Sequence, residues 1–574
     1  MQTYLRYFMT RNGGKPMKGN NSTTAKAERL PNNKELSYQW KTIDWKKAEK
    51  EVNRLQVRIV KATMEKNYFT VKRLQHLLTH SFYAKAIAVR RVTTNKGKKT
   101  AGVDKQLWTT PAMKMKAMLS LTDKGYKAKP LRRVYIDKKN KKKKRPLGIP
   151  TMYDRAMQAL YALALEPVAE ATADTKSFGF RKSRCCQDAC EWIFHALSRK
   201  TSPKWILEGD IKGCFDNISH DWLIENIPMD KSILKQFLKA GFIFKGELFP
   251  TEDGTPQGGV ISPILANMAL DGMQKVLSDK FHTNRLGKID LRLKNVHKVN
   301  LVRYADDFIV TAATKEIAEE AKELIKNFLT ERGLELSEEK TIITHIDDGF
   351  DMLGWNFRKY KGKLIVKPSK KSIQTVVRSL SDTILRRGKA WNQDVLIMKL
   401  NQQIRGWTNY HQSVCASEAF AHLDYILYEL LWRWAKRRHP KKGKWWISTR
   451  YWHRKGSRNW VFSTDKHELI RVDHTPIVRH TKIKLSANPY LDTEYFTERK
   501  FNQGMKRLSG RFKIIWRNQK GCCYHCGMPL EVAENREIFF KVPKADGGKE
   551  EVTNMAYVHA DCQRIYIESR SKEL

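Results

Sequence analysis

Asp306 and Asp307 are adjacent carboxylates inside the run Leu301-Val302-Arg303-Tyr304-Ala305-Asp306-Asp307-Phe308-Ile309-Val310. Its apolar, β-favouring arms predict a strand, a tight turn and a strand, with both acids at the turn. Carboxylates held this close repel each other unless a cation lies between them. Mg²⁺ suits such a place, because it prefers oxygen ligands and keeps water and phosphate in its shell. A solvated Asp-Asp turn is the plainer alternative. A third acid, Asp210, ends the strand-like run Trp205-Ile206-Leu207-Glu208-Gly209. Three acids in one cleft would fit two-metal phosphoryl transfer, with activation of a 3′-hydroxyl and neutralisation of a pyrophosphate leaving group. Spacing alone does not bring them together.

A second set lies near the C-terminus. Cys523-Tyr524-His525-Cys526 is a Cys-x-x-Cys knuckle, and His559-Ala560-Asp561-Cys562 supplies another pair with the same gap. Cys523, Cys526, His559 and Cys562 thus predict one tetrahedral, structural Zn²⁺ site. Cys522 and His525 compete for a ligand place. The other cysteines are scattered, apart from the adjacent Cys185 and Cys186, so no disulfide framework is expected and a reducing compartment follows.

The chain that must position these groups has 574 residues, 108 Lys+Arg against 60 Asp+Glu and a formal charge of +48. That length exceeds one core and predicts three or more domains. The charge favours a polyanionic partner, and nucleic acid is the default. The 16 Trp and 20 Tyr offer flat faces for stacking, although most belong in cores. No apolar run is long enough for a membrane span. The acid-free stretch before Glu28 leaves room for an organellar transit peptide.

Residues 1 to about 38 are polar, basic and expected to be flexible. Apolar spacing predicts helices from Ile43 to about Val92. A hairpin follows, with Leu131 to Ile136 and Arg145 to Pro150 as arms around a lysine-rich turn suited to a triphosphate or a template backbone. A long helix is predicted from Asp154 to Ala173, then a helix opened at Phe215 and running through Trp222 and Leu223. A Gly-rich loop, Gly254 to Gly259, passes into an apolar helix. After the Asp-Asp hairpin come an amphipathic helix ending at Gly333 and strands at Thr341–Ile346 and Met352–Phe357. From about 366 to 440 the pattern is helical and basic, and beyond that it is Trp- and Arg-rich with poor periodicity.

The ordered set of motifs resembles a group II intron-encoded protein. The match rests on Tyr304-Ala305-Asp306-Asp307, Asp210, Arg145-Pro146-Leu147-Gly148-Ile149-Pro150, Ser177-Phe178-Gly179-Phe180-Arg181, Thr255-Pro256-Gln257-Gly258-Gly259, Leu336-Ser337-Glu338-Glu339-Lys340-Thr341 and Leu353-Gly354-Trp355. The resemblance implies a multidomain α+β fold: right-hand reverse transcriptase fingers and palm, a helical thumb or maturase X domain, and a small zinc-bound, HNH-like ββα domain. The implied division is a basic N-terminus (1–38), an N-terminal extension and start of the fingers (39–128), fingers and palm (129–362), thumb (363–442), a DNA-binding region (443–512) and the zinc domain (513–574). Asp210, Asp306 and Asp307 would be catalytic and hold two Mg²⁺. Phe215 would exclude a ribose 2′-hydroxyl, Gln257 would line the nucleotide pocket, Lys144 and Arg145 would hold the triphosphate, and Lys340 would touch primer–template. Core packing for Phe215 and a surface charge for Lys340 are the plain readings without the neighbouring motifs.

The thumb resemblance rests on Ile404-Arg405-Gly406-Trp407-Thr408-Asn409-Tyr410-His411 and on Leu431 to Pro440, where aromatics alternate with cations in a way that suits RNA. Core roles for Trp407, Trp432 and Trp434 compete with that reading. In the zinc module, the paired histidines usual in HNH endonucleases are replaced by Phe539 and Phe540, and Gln563 follows the last cysteine. Phenylalanine neither ligates Mg²⁺ nor activates water, so nuclease chemistry is expected to be lost. The implied partners are group II intron RNA, target DNA and cDNA, and dNTPs, with a homodimer left open and no membrane. The implied location is bacterial cytoplasm and nucleoid or an organellar matrix. The implied function is RNA-directed DNA polymerisation combined with assistance to intron splicing and mobility. A splicing factor without polymerase use, a homing endonuclease and a reverse transcriptase recruited to host defence stand as alternatives.

Overall fold

The computed structural model describes residues 32–137, 144–508, 510–530, 536–560, 562–563 and 566–567. Most of the expected basic N-terminus and the lysines of the hairpin tip before Lys144 lie outside the described residues. The helix Asn33–Lys41 begins inside the stretch expected to be flexible. Its start is a capping box: the Asn32 side chain accepts from the backbone of Lys34 and Glu35, and Glu35 returns a bond to Asn32 N. Leu36 and Trp40 bury its apolar face.

Helices Trp45–Met64, Tyr68–His80 and Phe82–Thr94 surround Met152–Thr172. That last helix is apolar almost all round, which is why it forms the axis of the first core rather than a surface helix. The predicted fingers hairpin is present as β1 (Leu131–Asp137) and β2 (Lys144–Ile149), paired antiparallel. β3 (Trp205–Gly209) follows the helix Cys186–Leu197. β4 (Phe242–Phe244) and β5 (Glu247–Phe249) return to the fingers and give a sheet ordered β2-β1-β4-β5. The helix expected from Phe215 through Leu223 is divided into Cys214–Asn217 and His220–Asn226, because Ser219 caps the second by accepting from Trp222 N.

β6 (Asn300–Tyr304) and β7 (Asp307–Ala312) form the Asp-Asp hairpin. With β8 (Ile342–His345) they make the palm sheet, ordered β6-β7-β3-β8. The helix Lys315–Thr330 covers that sheet, with Gly333 at φ 72° just beyond its end. The expected single strand Met352–Phe357 is instead a turn between β9 (Phe350–Met352) and β10 (Trp355–Tyr360). Leu353 and Gly354 both have positive φ, 52° and 82°, which fits a two-residue hairpin turn. β11 (Lys363–Pro368) pairs with β10 and carries this sheet past the expected start of the thumb at residue 363.

The thumb consists of Lys370–Ser381, a π-helical turn at Asp382–Arg387, and the long helices Gln393–His411 and Ser417–Arg438. Its signature aromatics face inward. Trp355 and Tyr410 stack with ring centroids 4.6 Å apart and 3° between planes, and Tyr410 Oη donates to Leu353 O at 2.7 Å. Trp434 is buried and donates to Gly388 O at 3.0 Å. Among the described residues from 370 to 470 the exposed Phe, Tyr and Trp side chains are Tyr425, Tyr428, Trp445 and Trp460.

Beyond the thumb, β12 (Trp452–Lys455) and β13 (Arg458–Phe462) form a hairpin, and the chain then returns to the palm. Arg184 Nη2 donates to Ala487 O at 2.9 Å, and Tyr490 Oη donates to Glu166 at 3.1 Å. The fully buried Asp188 accepts from His480 at 2.9 Å and from Arg499. Helix Gly510–Asn518 leads into the small third core, which holds β14 (Arg536–Phe540) and β15 (Met555–His559), an antiparallel pair. No described helix is long and apolar enough to cross a membrane.

Candidate active site and metal centre

β3 and β7 pair antiparallel, ending with Gly209 opposite Phe308. Asp210 follows Gly209, and Asp307 precedes Phe308, so these two acids leave neighbouring strand ends. Asp306 stands in the turn before Asp307, where Ala305 adopts φ 58°. A Cβ on Gly209 would lie 2.1 Å from the Phe308 ring, so only glycine lets the two strands close here. Partial burial and then the charges of Asp306 and Asp210 push the Asp307 carboxyl up to about 6. Burial also raises Asp306, Asp210 adds to the effect, and Arg145 and Lys340 oppose it. The three expected carboxylates thus stand at neighbouring strand ends, and the charge of Asp210 disfavours ionisation of both Asp306 and Asp307.

Lys340 Nζ contacts Asp210 Oδ2 at 2.6 Å. The contact follows from backbone pairing: Ile211 bridges Leu336, Lys212 N donates to Glu335 O at 2.9 Å, and Ser337 N donates to Asp210 O at 2.8 Å. The lysine expected at primer–template thus sits on a carboxylate of the triad.

Sequence reasoning missed Arg303. Its side chain is fully buried beneath the turn, donating to Ala305 O at 3.3 Å, Asn267 Oδ1 at 3.1 Å and Asp271 Oδ1 at 2.5 Å. Burial pushes Asp271 up to about 6 against the pull of Arg303. The backbone of Ser177-Phe178-Gly179 runs beside β6: Phe178 N donates to Arg303 O at 2.9 Å and Arg303 N to Lys176 O at 3.0 Å. Asn267 Nδ2 donates to Gly179 O at 2.7 Å. A cation within an otherwise apolar strand was the available signal, since such a residue is buried only when paired.

Phe215 and Gln257 are brought to one wall. Thr255 N donates to Phe215 O at 2.6 Å, and Gln257 Nε2 reaches Asp216 Oδ2 at 3.4 Å. The same loop meets the fingers, where Gly148 N donates to Gln257 O at 2.9 Å. Phe180 meets Phe215 edge-on, with centroids 6.1 Å apart. Lys144 and Arg145 are exposed at the end of the fingers hairpin, and Arg145 acts on Asp306 through its charge.

In the small domain the ligand atoms of Cys523, Cys526, His559 and Cys562 all lie within 4.8 Å of one another. His559 Nδ1 is 3.4 Å from Cys526 Sγ and 3.8 Å from Cys562 Sγ. His559 Nε2 lies 3.3 Å from Pro529 O, an orienting contact of the kind metal-ligating histidines make. Hydrogen bonds from Cys526 and Cys562 hold the Cys523 thiol far below its usual range. Cys522 and His525 stand outside the cluster. Phe539 is buried in the domain core, 4.5 Å from the His525 ring and 4.9 Å from that of Tyr566.

Residues 136–357 match the family model of reverse transcriptase (RNA-dependent DNA polymerase). Residues 40–121 match the N-terminal domain of reverse transcriptase, and residues 373–452 match the group II intron maturase-specific domain. The chain is 32% identical over 427 residues to the group II intron-encoded protein LtrA of Lactococcus lactis subsp. cremoris, covering 60% of this chain and 70% of that protein. It is 32% identical over 318 residues to protein YkfC of Escherichia coli (strain K12), covering 50% and 82%. It is 25% identical over 379 residues to maturase-like protein 1 of Euglena gracilis, covering 64% and 76%.

Proposed function

Because this chain belongs to the group II intron-encoded proteins, we propose that its polymerase centre is Asp210, Asp306 and Asp307, with two Mg²⁺ held among them. The chain is an RNA-directed DNA polymerase with a maturase role in intron splicing. The observation that carries the site assignment is the meeting of three carboxylates at neighbouring ends of β3 and β7, each raising the charge density felt by the next. Bound Mg²⁺ would supply a lowered pKa at the primer 3′-hydroxyl and charge neutralisation at the pyrophosphate.

The chain's own residues do the rest. Arg303 holds the turn carbonyl of Ala305 from below, which fixes the direction of Asp306 and Asp307. The Phe215 ring, backed by Phe180, closes the pocket on the sugar side and selects dNTPs over rNTPs. Gln257 lines the same wall, and Lys144 and Arg145 neutralise the triphosphate from the fingers. Lys340 leaves Asp210 when the metal site fills and moves to the adjacent nucleic-acid backbone.

The Cys₃His cluster fits a structural Zn²⁺ by donor type and by mutual distance. β14 and β15 are consistent with an HNH-like ββα frame, whose last part lies mostly outside the described residues. With Phe539 serving as core, this domain no longer cuts DNA and acts as a fold or DNA-binding element. Intron RNA, target DNA and cDNA are the partners, and priming then draws on a strand made elsewhere, such as a nascent strand at a replication fork.

Primer extension on an RNA template tests the central claim. Wild-type protein extends the primer with dNTPs and Mg²⁺, and Asp306→Ala does not. Equal extension by both would overturn the assignment.

A further inference from the structure

Phe180 adopts φ 59°, a left-handed conformation that strains a bulky side chain. Among the described residues the only other aromatic with positive φ is Trp460. The Phe180 side chain is 51% exposed, so burial offsets little of that strain. The backbone on both sides is fixed. Gly179 O accepts from Asn267 Nδ2 at 2.7 Å. Arg181 donates two hydrogen bonds to the buried Glu170, at 2.9 and 2.6 Å, and two more to the carbonyls of Asp174 and Ser177, at 2.8 and 2.7 Å. Phe180 is thus held by its neighbours in a conformation its own preference opposes. Outliers over-determined in this way cluster at active sites.

The strap from Ser177 to Arg181 makes two contacts one residue apart. Gly179 lies against the Asp306–Asp307 turn, where a Cβ would be 2.3 Å from Ala305 N. Phe180 meets the Phe215 ring edge-on, with centroids 6.1 Å apart and 79° between planes. Among the described residues no other aromatic ring meets Phe215. A single peptide unit therefore spans the interval between the carboxylate turn and Phe215. Phe215 itself stands near the start of a four-residue helix, Cys214–Asn217, and is half-buried. A ring with nothing behind it can turn off its rotamer at a cost worth no more than about tenfold in an equilibrium. A 2′-hydroxyl pressing on such a ring would displace it. A second ring anchored to another segment blocks that rotation, because aromatic pairs pack at defined separations.

We propose that Phe180 is a positioning residue for sugar selection: through its edge-on contact it holds the Phe215 ring at a set distance from the Asp306–Asp307 turn, so that a ribose 2′-hydroxyl is rejected. The inference rests on the reading of Phe215 as the ring that excludes that hydroxyl. It adds that exclusion depends on the strap as much as on the ring, since the same five residues support both the turn and Phe215.

The test measures single-nucleotide extension of a DNA primer on an RNA template by the full-length protein. Both kcat and KM are obtained for a dNTP and for the matching rNTP, and discrimination is the ratio of the two kcat/KM values. That ratio compares two substrates on the same molecules, so a general loss of folded protein cancels from it. The variants are Phe180→Gly, Phe180→Tyr, Phe215→Ala and the double variant Phe180→Gly with Phe215→Ala. Glycine accepts positive φ, so Phe180→Gly removes the ring without adding backbone strain. It is expected to lower discrimination by about tenfold, chiefly by raising kcat/KM for the rNTP. Phe180→Tyr keeps the ring and wild-type discrimination. Phe215→Ala lowers discrimination at least as far, and adding Phe180→Gly to it lowers it no further, because the two positions act through one ring. Wild-type discrimination in Phe180→Gly beside a loss in Phe215→Ala would overturn the inference and leave the reading of Phe215 standing. An equal loss from Phe180→Gly in both backgrounds would also overturn it, by showing that Phe180 acts without Phe215. Unchanged discrimination in Phe215→Ala would overturn the reading of Phe215 and this inference with it.

Discussion

Lys340 Nζ lies 2.6 Å from Asp210 Oδ2, so a cation of the chain itself contacts a carboxylate of the proposed polymerase triad. A partly exposed pair of this kind contributes no more than about 1 kcal/mol. Its removal should therefore ease Mg²⁺ entry by at most about fivefold. For Lys340→Met we expect a lower half-saturating Mg²⁺ concentration, read from single-nucleotide extension. A higher value would show that Lys340 helps to hold the metal.

Gly179 passes so close to the Asp306–Asp307 turn that a Cβ there would be 2.3 Å from Ala305 N and 2.8 Å from Tyr304 C. These are backbone atoms and cannot rotate aside. Gly179→Ala should displace the turn, cost about 1–3 kcal/mol of stability, and lower primer extension at least roughly tenfold, given how strongly rate depends on placement. Gly406→Ala is the control. Its Cβ meets nothing within 4 Å, so activity should persist and stability should rise by up to about 1 kcal/mol.

His411 is buried at the root of the thumb, with Nε2 2.9 Å from Ser372 Oγ. Burial lowers its pKa from 6.5 to about 4. Above 6.5 neither folded nor unfolded chain carries this proton, so the site is neutral toward stability. As pH falls from 6.5 toward 4, the unfolded chain binds a proton that the folded chain resists. Stability then declines by about 2 kcal/mol between pH 7 and pH 5. Denaturant unfolding at the two pH values should show a smaller difference for His411→Gln than for wild type.

Removal of zinc should unfold the C-terminal domain and leave the palm intact. One equivalent of zinc is expected by elemental analysis, lost in Cys523→Ser or after treatment with a zinc-selective chelator. Tryptophan fluorescence should report the change, because Trp516 is fully buried in that domain's core. Primer extension in excess Mg²⁺ should continue. Its loss together with the zinc would place the domain within the polymerase unit.

The Asp306–Asp307 hairpin was legible because strand alternation and a tight turn are local properties, and the cysteine pairs announced their cluster by spacing alone. Long-range partners were not legible. Arg303 gave only the hint of a charge in an apolar strand, and nothing local names Asn267 or Asp271 as its acceptors. Tyr410 read as part of an RNA-facing stripe and Trp407 stood between that stripe and a core role, since aromatics beside cations suit RNA. Tyr410 instead joins thumb to palm by stacking on Trp355, and Trp407 packs within the thumb against His411 and, edge-on, Phe420. Which face of a helix finds a protein partner depends on elements the local pattern does not contain. The turn at Leu353–Gly354 was missed for a different reason: apolar alternation continues across it, and only the positive φ at both positions breaks the strand.

Asp188 draws the two ends of the chain's middle together. A polymerase shortened after the thumb would discard His480 and Arg499, and with them the partners that neutralise the Asp188 carboxylate. A carboxylate that stays covered without its partners costs about 3–5 kcal/mol. The region beyond residue 443 is therefore not a detachable accessory. Any lineage or engineer trimming it must first replace Asp188, and a minimal version of this enzyme begins with that substitution rather than with the cut.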